Sequence, residues 1–162
     1  MKKGGYNLDF VNKVKNLAAS EKDFLPLLKK AVKILGTKKA LARRMKGGEL
    51  QMVLTSDRTI RLINKEYRGL DKPTDVVSLS YFDEPAFPGK EDLTGEIIIS
   101  VDTARRQAKE HKKTLKQELQ FLFVHGVLHV FGYDHEEAGE RKIMFELQDN
   151  ILGTKMWRKI ID

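Results

Sequence analysis

Three of the four histidines in the chain fall in one short stretch, His125-Gly126-Val127-Leu128-His129-Val130-Phe131-Gly132-Tyr133-Asp134-His135. Imidazole nitrogens are good ligands for zinc and its first-row neighbours, so metal binding is the first chemistry this stretch suggests. On a helix with about 3.6 residues per turn, positions i and i+4 leave the same face, which puts His125 beside His129. Gly132 can end that helix in a sharp turn, and a chain that doubles back brings His135 to the same ion. Three neutral imidazoles suit one zinc ion per chain and leave a fourth tetrahedral position for water, as a catalytic site requires. The chain has no cysteine, which excludes thiolate ligands and disulfides. Nickel, cobalt or iron fits the same imidazoles, because ligand type alone does not select the ion.

The spacing H-x3-H-x2-G-x2-H is the ligand spacing of the metzincin motif. One position departs from zinc peptidases. Gly126 stands where they carry the glutamate that acts as general base. That change counts against peptide hydrolysis. Three neutral ligands also leave the charge of the ion uncompensated, which favours an anionic substrate such as a phosphodiester. The remaining histidine, His111, lies among Lys109, Lys112 and Lys113 and reads as an exposed residue of a basic helix.

A second segment has the character of a site: Asn64-Lys65-Glu66-Tyr67-Arg68-Gly69-Leu70-Asp71-Lys72-Pro73-Thr74-Asp75. It leaves a helix, turns at Gly69 and enters a strand behind Pro73. Arg68 and Lys72 can hold phosphate oxygens, Arg68 in bidentate fashion; an ordinary charged surface loop is the competing description. Glu66 and Asp134 are candidates for proton transfer or for orienting a ligand, although Asp134 reads first as a cap on the final helix. Gly95-Glu96 reads as a strand entrance with a solvated acid.

These residues sit in a chain of 162 residues, 41% of them hydrophobic, which suits one globular domain spanning 1–162. No apolar run approaches the roughly 18 residues of a membrane span. The basic start Met1-Lys2-Lys3-Gly4-Gly5 is not followed by the apolar core of a signal peptide. A cytoplasmic protein with no membrane partner is expected. The formal charge of +7 attracts polyanions. Part of the excess gathers at Lys38, Lys39, Arg43, Arg44 and Lys46, which is either a nucleic-acid footprint or a solvated surface run.

The elements that must position the site follow from hydrophobic periodicity. Tyr6, Leu8 and Phe10 alternate as in a short strand. Glu21 to Leu35 carries apolar residues at helical spacing and ends at Gly36. Leu50, Met52 and Leu54 predict a strand, and Ser56 then caps a helix bearing Ile60, Ile63 and Tyr67. Val76 to Tyr81 and Gly95 to Val101 predict further strands, separated by a polar loop from Asp83 to Thr94. Residues 102 to 112 predict a helix. Thr114 and Gln117 form a capping box opening another that runs to about Phe131, where Gly132 stops it. The last helix covers about 137 to 152, and Gly153 ends it. The expected class is α+β: a small mixed sheet packed against helices, with the metal site on a C-terminal helix and the turn that follows it.

With these residues in view, the chain resembles the YbeY family of bacterial endoribonucleases. The family pattern H-G-x-L-H-x-x-G-Y-D-H is matched completely from His125 through His135. A second family signature, N-x-x-Y-R-x-x-D-x-P-T-D/N-V-L-S-F, is matched at Asn64, Tyr67, Arg68, Asp71, Pro73, Thr74, Asp75, Val76 and Ser78, with Val77 and Leu79 in place of the usual Leu and Phe. Gly95-Glu96-Ile97 and Ser100-Val101-Asp102-Thr103-Ala104 also resemble family stretches. The likeness covers roughly residues 50 to 153, and the first 49 residues match loosely. The resemblance implies a single-strand-specific, metal-dependent endoribonuclease acting in maturation of the 16S rRNA 3′ end and in ribosome quality control. It implies zinc on His125, His129 and His135 and a functional role for Arg68. It also implies single-stranded RNA, 16S rRNA, the small ribosomal subunit with its proteins, and the GTPase Era as partners.

Two other readings use the same residues. One is a zinc-containing ribosome-assembly module without turnover, which the missing base at Gly126 favours. The other is a metal-dependent hydrolase of another class, such as an amidase or peptidase, which the ligand spacing favours and Gly126 opposes. Activity on RNA against activity on peptides separates them.

Overall fold

Alternating apolar residues build a four-stranded sheet. The structure, a computed structural model, describes residues 5–83, 88–134 and 136–155. In β1 (Tyr6–Asn12) Tyr6 and Leu8 point into the core while Asn7 and Asp9 are exposed. In β2 (Gly48–Thr55) Leu50, Met52 and Leu54 are fully buried, and in β4 (Leu93–Ser100) Ile97 and Ile99 are. The spatial order is β1-β2-β4-β3, with β3 spanning Val76–Ser80. β1, β2 and β4 run parallel, and β3 lies antiparallel to β4 on the edge. The sheet is mixed, as the sequence led us to expect, and the class is α+β.

Helices cover both faces. α2 (Asp57–Arg68) packs on one face, where Ile60, Val77 and Ile98 form a small cluster. On the other face α1 (Leu25–Leu35), α4 (Leu115–Val130) and α5 (Ala138–Leu152) enclose the main core. α3 (Val101–Glu110) starts directly from the end of β4, because the Ser100 hydroxyl accepts a hydrogen bond from the Thr103 amide and caps it. The strand therefore ends one residue earlier than the alternation suggested.

α4 is the central helix. Leu119, Leu122, Phe123, Val124, Val127, Leu128 and Val130 are all buried, each contributing about 1.5–3 kcal/mol relative to exposure for its larger side chains. Phe121, His125 and His129, at i, i+4 and i+8, lie on the face that stays partly exposed. The capping box at Thr114 and Gln117 is present: the Thr114 hydroxyl accepts from the Gln117 amide at 3.1 Å, and the Gln117 side chain accepts from the Thr114 amide at 3.0 Å.

Two glycines let α4 lie close against the sheet. A Cβ on Gly126 would stand 2.8 Å from Ile97 Cγ2 and 3.1 Å from Ser78 Oγ. A Cβ on Gly95 would stand 2.5 Å from Val130 Cγ1 and 2.8 Å from the Leu79 carbonyl. Both approaches are closer than packed carbon atoms tolerate. Gly126 thus faces the sheet and not solvent.

Element boundaries differ in one informative place. The helix expected over Glu21 to Leu35 divides into a 3-10 turn at Glu21–Asp23 and α1 from Leu25. Pro26 sits in the first turn of α1, the position that tolerates its missing N–H, and so sets where the α-helix begins.

Candidate metal centre

The two helical histidines come together as their spacing predicts. His125 Nε2 and His129 Nε2 stand 3.1 Å apart. Two imidazole nitrogens bound to one tetrahedral ion at ordinary zinc distances are about 3.3 Å apart. The His125 ring is held from behind, where Nδ1 donates to Gln148 Oε1 on α5 at 2.9 Å. That hydrogen bond puts the proton on Nδ1 and leaves Nε2 of His125 with its lone pair on the side of His129. The pair therefore fits a divalent metal in spacing, and His125 also in tautomer. His135, the third expected ligand, lies outside the described residues. Among the described residues no group of three or more His, Cys, Asp or Glu is assembled for a metal.

The turn after α4 is built to redirect the chain. Gly132 has φ +101°. The Gly132 amide donates to the His129 carbonyl at 3.0 Å and the Tyr133 amide to the Leu128 carbonyl at 2.9 Å. This is a Schellman closure, which needs a left-handed residue after the cap, and glycine takes that conformation without steric cost. His129 is thereby fixed in the last turn of the helix.

The histidine pair opens on a cleft of about 730 Å³. Arg68, the last residue of α2, lines it. Thr74, Asp75, Val76 and Ser78 form the wall along edge strand β3, and Gly132, Tyr133, Asp134 and Glu136 form the wall after α4. Burial pushes the Tyr133 phenol above its ordinary pKa, so it stays protonated at neutral pH.

Arg68 is presented by a well-held bend. Gly69 follows it in the left-handed region at φ +71°, its amide directed to the Asn64 and Lys65 carbonyls. Asn64, 1% exposed, donates from Nδ2 to the Lys72 carbonyl at 2.9 Å. Asp71 pairs with Arg61 at 2.9 Å, outside the cleft. Asp75 accepts from the Val76 amide at 2.7 Å and from Gln107 Nε2 at 3.2 Å. These interactions fix both ends of the 69–75 bend, leaving the Arg68 guanidinium with no hydrogen bond or ion pair among the described residues.

The other singled-out residues separate clearly. Neither Lys72 nor Glu66 is among the cleft-lining residues, and both are exposed. Asp134 lines the cleft, whereas the cap of α5 is Glu137, because that helix starts only at Ala138. His111 ends α3, and its Nδ1 lies 3.2 Å from Oε2 of Glu118, a fully buried acid that Lys113 also approaches at 3.4 Å. Gln148 was not singled out by sequence. Its signal was available: it is the polar member of the apolar stripe Met144, Leu147, Gln148 and Ile151 on α5. Gly126 explains the missing glutamate. A side chain there points into Ile97, so no base can be carried at that position.

The sequence as a whole has close relatives. The profile described as Endoribonuclease YbeY matches residues 9–155. A protein of Heliobacterium modesticaldum named Endoribonuclease YbeY is 46% identical over 115 residues, covering 64% of this chain and 68% of its own length. One of that name from Sulfurihydrogenibium sp. is 50% identical over 104 residues, covering 64% and 67%. The solution structure of TM1509 from Thermotoga maritima superposes with a TM-score of 0.56 at 28% identity, covering 94% of this chain and 93% of that one.

Proposed function

The chain belongs to the YbeY family, and on that premise we propose that it is a metal-dependent endoribonuclease cutting single-stranded RNA. His125, His129 and His135 hold one zinc ion, and Arg68 grips the scissile phosphate. The observation that carries this reading is the 3.1 Å approach of the His125 and His129 Nε2 atoms in a cleft that Arg68 also lines. The substrate we assign is the 3′ region of 16S rRNA, met on the small ribosomal subunit in the cytoplasm, with subunit proteins and the GTPase Era as partners. Among the described residues no helix is long and apolar enough to cross a membrane.

The residues divide the work in a way their positions support. A bound divalent ion supplies Lewis acidity toward a phosphoryl oxygen. Arg68, uncommitted to any other partner among the described residues, offers a guanidinium fork to the non-bridging oxygens and stabilises the charge that builds on them. Gln148 keeps the His125 proton on Nδ1, so Nε2, on the side of His129, keeps the lone pair that would hold a metal ion. Lys72 extends the positive field over the entering strand from outside the cleft. Gly126 has no room for an acid, so a proton acceptor is drawn from the carboxylates that line the cleft, Asp75, Asp134 and Glu136.

Labelled single-stranded RNA, its duplex and single-stranded DNA of the same sequence, each incubated with zinc-loaded protein, test the reading. Scission of the single-stranded RNA alone is expected. No scission of any of them by protein with confirmed zinc content would instead favour a ribosome-assembly module without turnover.

A further inference from the structure

The basic cluster before β2 lies at one end of the metal cleft. We propose that Arg43 and Arg44 form a second anionic subsite, which takes a phosphodiester of the same single-stranded RNA beyond the scissile position, on the Gly132 side. The proposal rests on the ribonuclease reading and adds to it a minimum substrate length and a direction for the strand.

The segment is anchored from below. Met45 is buried, and Tyr6 Oη donates to the Arg44 carbonyl at 2.7 Å. The Arg44 guanidinium lies over the Phe82 ring, 4.8 Å from its centre. Phe82 packs in turn on Phe131, the residue that caps α4, with ring centres 5.3 Å apart. This stack sets the orientation of the guanidinium and lowers the entropy cost when it binds. Arg44 Nη1 lies 3.7 Å from the point where a Cβ of Gly132 would stand, and Gly132 itself lines the metal cleft. The subsite and the cleft are therefore adjacent across one glycine.

The space beside Arg44 is a hollow of about 510 Å³ lined by Arg43, Arg44, Phe82 and Thr94 and by two acids, Asp83 and Glu91. The two acids oppose a phosphate, so how each is held matters: Glu91 accepts from the Gly89 amide at 3.2 Å. Asp83 stands 3.7 Å from Arg44 Nη2 with its side chain 96% exposed, which makes a weak, solvent-screened pair. A phosphodiester offers the guanidinium two oxygens in fork geometry and displaces such a partner. A strand whose scissile phosphate sits by Arg68 and the histidines, and which continues past Gly132, brings its next phosphates to this pair of arginines. Electrostatic attraction along a backbone is how single strands are tracked without regard to sequence.

The test is the length dependence of KM on single-stranded RNA, from a trinucleotide to a decanucleotide, for the zinc-loaded protein and for its R44A and R43E variants. Arg43 is exposed, so R43E guards against a folding defect in R44A. For the unaltered protein KM falls with length. In both variants that advantage shrinks about tenfold, as expected when a charged hydrogen-bonding group is removed. The slope of the salt dependence on the decanucleotide becomes shallower by about 0.7 for each phosphate that the variant no longer neutralises. If the unaltered protein cuts RNA and both variants keep the full length advantage, the subsite is wrong and the ribonuclease reading stands. If the unaltered protein cuts no RNA, both fall together.

Discussion

Gln148 on α5 accepts a hydrogen bond from Nδ1 of His125 on α4 at 2.9 Å, joining two helices behind the ring that we propose as a metal ligand. A neutral amide, 1% exposed, takes the place that a carboxylate or backbone carbonyl often fills behind a ligating histidine. Replacing Gln148 with leucine keeps the volume and removes the acceptor. Zinc affinity of Q148L, read by competition against a chelator, is expected to fall about 10- to 100-fold while far-UV circular dichroism is retained. Unchanged affinity would mean that Gln148 does not orient the ligand.

Gly126 makes a prediction about stability. G126A gains about 1 kcal/mol of helix propensity but places its methyl 2.8 Å from Ile97 Cγ2, on a fully buried side chain that cannot swing away. Overpacking of this kind costs about 1–3 kcal/mol, so net destabilisation is expected in urea unfolding. G126E should fail to fold rather than acquire peptidase activity. A stable G126E that binds zinc would show that the helix does not lie against the sheet as described.

Arg68 is held to act on the substrate and not on the metal. R68A is expected to bind one zinc as tightly as the unaltered protein and to lose about 100- to 1,000-fold in kcat/KM on single-stranded RNA, the range for removing one group that stabilises developing charge. R68K should recover part of the loss, because it keeps the charge and gives up the fork. Loss of zinc in R68A would mean that the bend carrying Arg68 shapes the ligand set itself.

Tyr6 gives a pH dependence. Burial pushes its phenol from 10.0 up to about 12. The folded state thus holds the proton more tightly than the unfolded chain. The resulting stability is complete below about pH 10 and is lost as pH rises from about 10 toward 12. Urea midpoints for the native protein should fall across that window, and Y6F should fall less steeply. An identical slope in Y6F would assign the alkaline loss to other groups.

What the sequence disclosed was what is local. The i, i+4 pair, the capping box at Thr114 and the glycine that closes α4 each depend on neighbours within a turn or two, so spacing alone located them. That β3 is a strand followed from its apolar residues and from Pro73 standing ahead of it, and a mixed sheet from the order of the elements; the antiparallel pairing of β3 with β4 was not legible. Other features depend on residues far apart in the chain and left little trace. Gln148 meets His125 across 23 positions. The reason for Gly126 is Ile97 on β4. Arg44 approaches Gly132 only because Phe82 and Phe131 stack between the segments that carry them. His111 is exposed, as its lysine neighbours suggested, but nothing nearby announces that Glu118, on the next helix, is fully buried and lies within 3.2 Å.

The central claim is that His125 and His129 share one metal ion that RNA cleavage requires. The most direct test measures zinc per chain and scission of labelled single-stranded RNA on the same preparations of the unaltered protein and its His129→Ala variant. One zinc and cleavage are predicted in the first, and loss of both in the second. Full zinc occupancy in the variant, or undiminished cleavage without the metal, would contradict the claim.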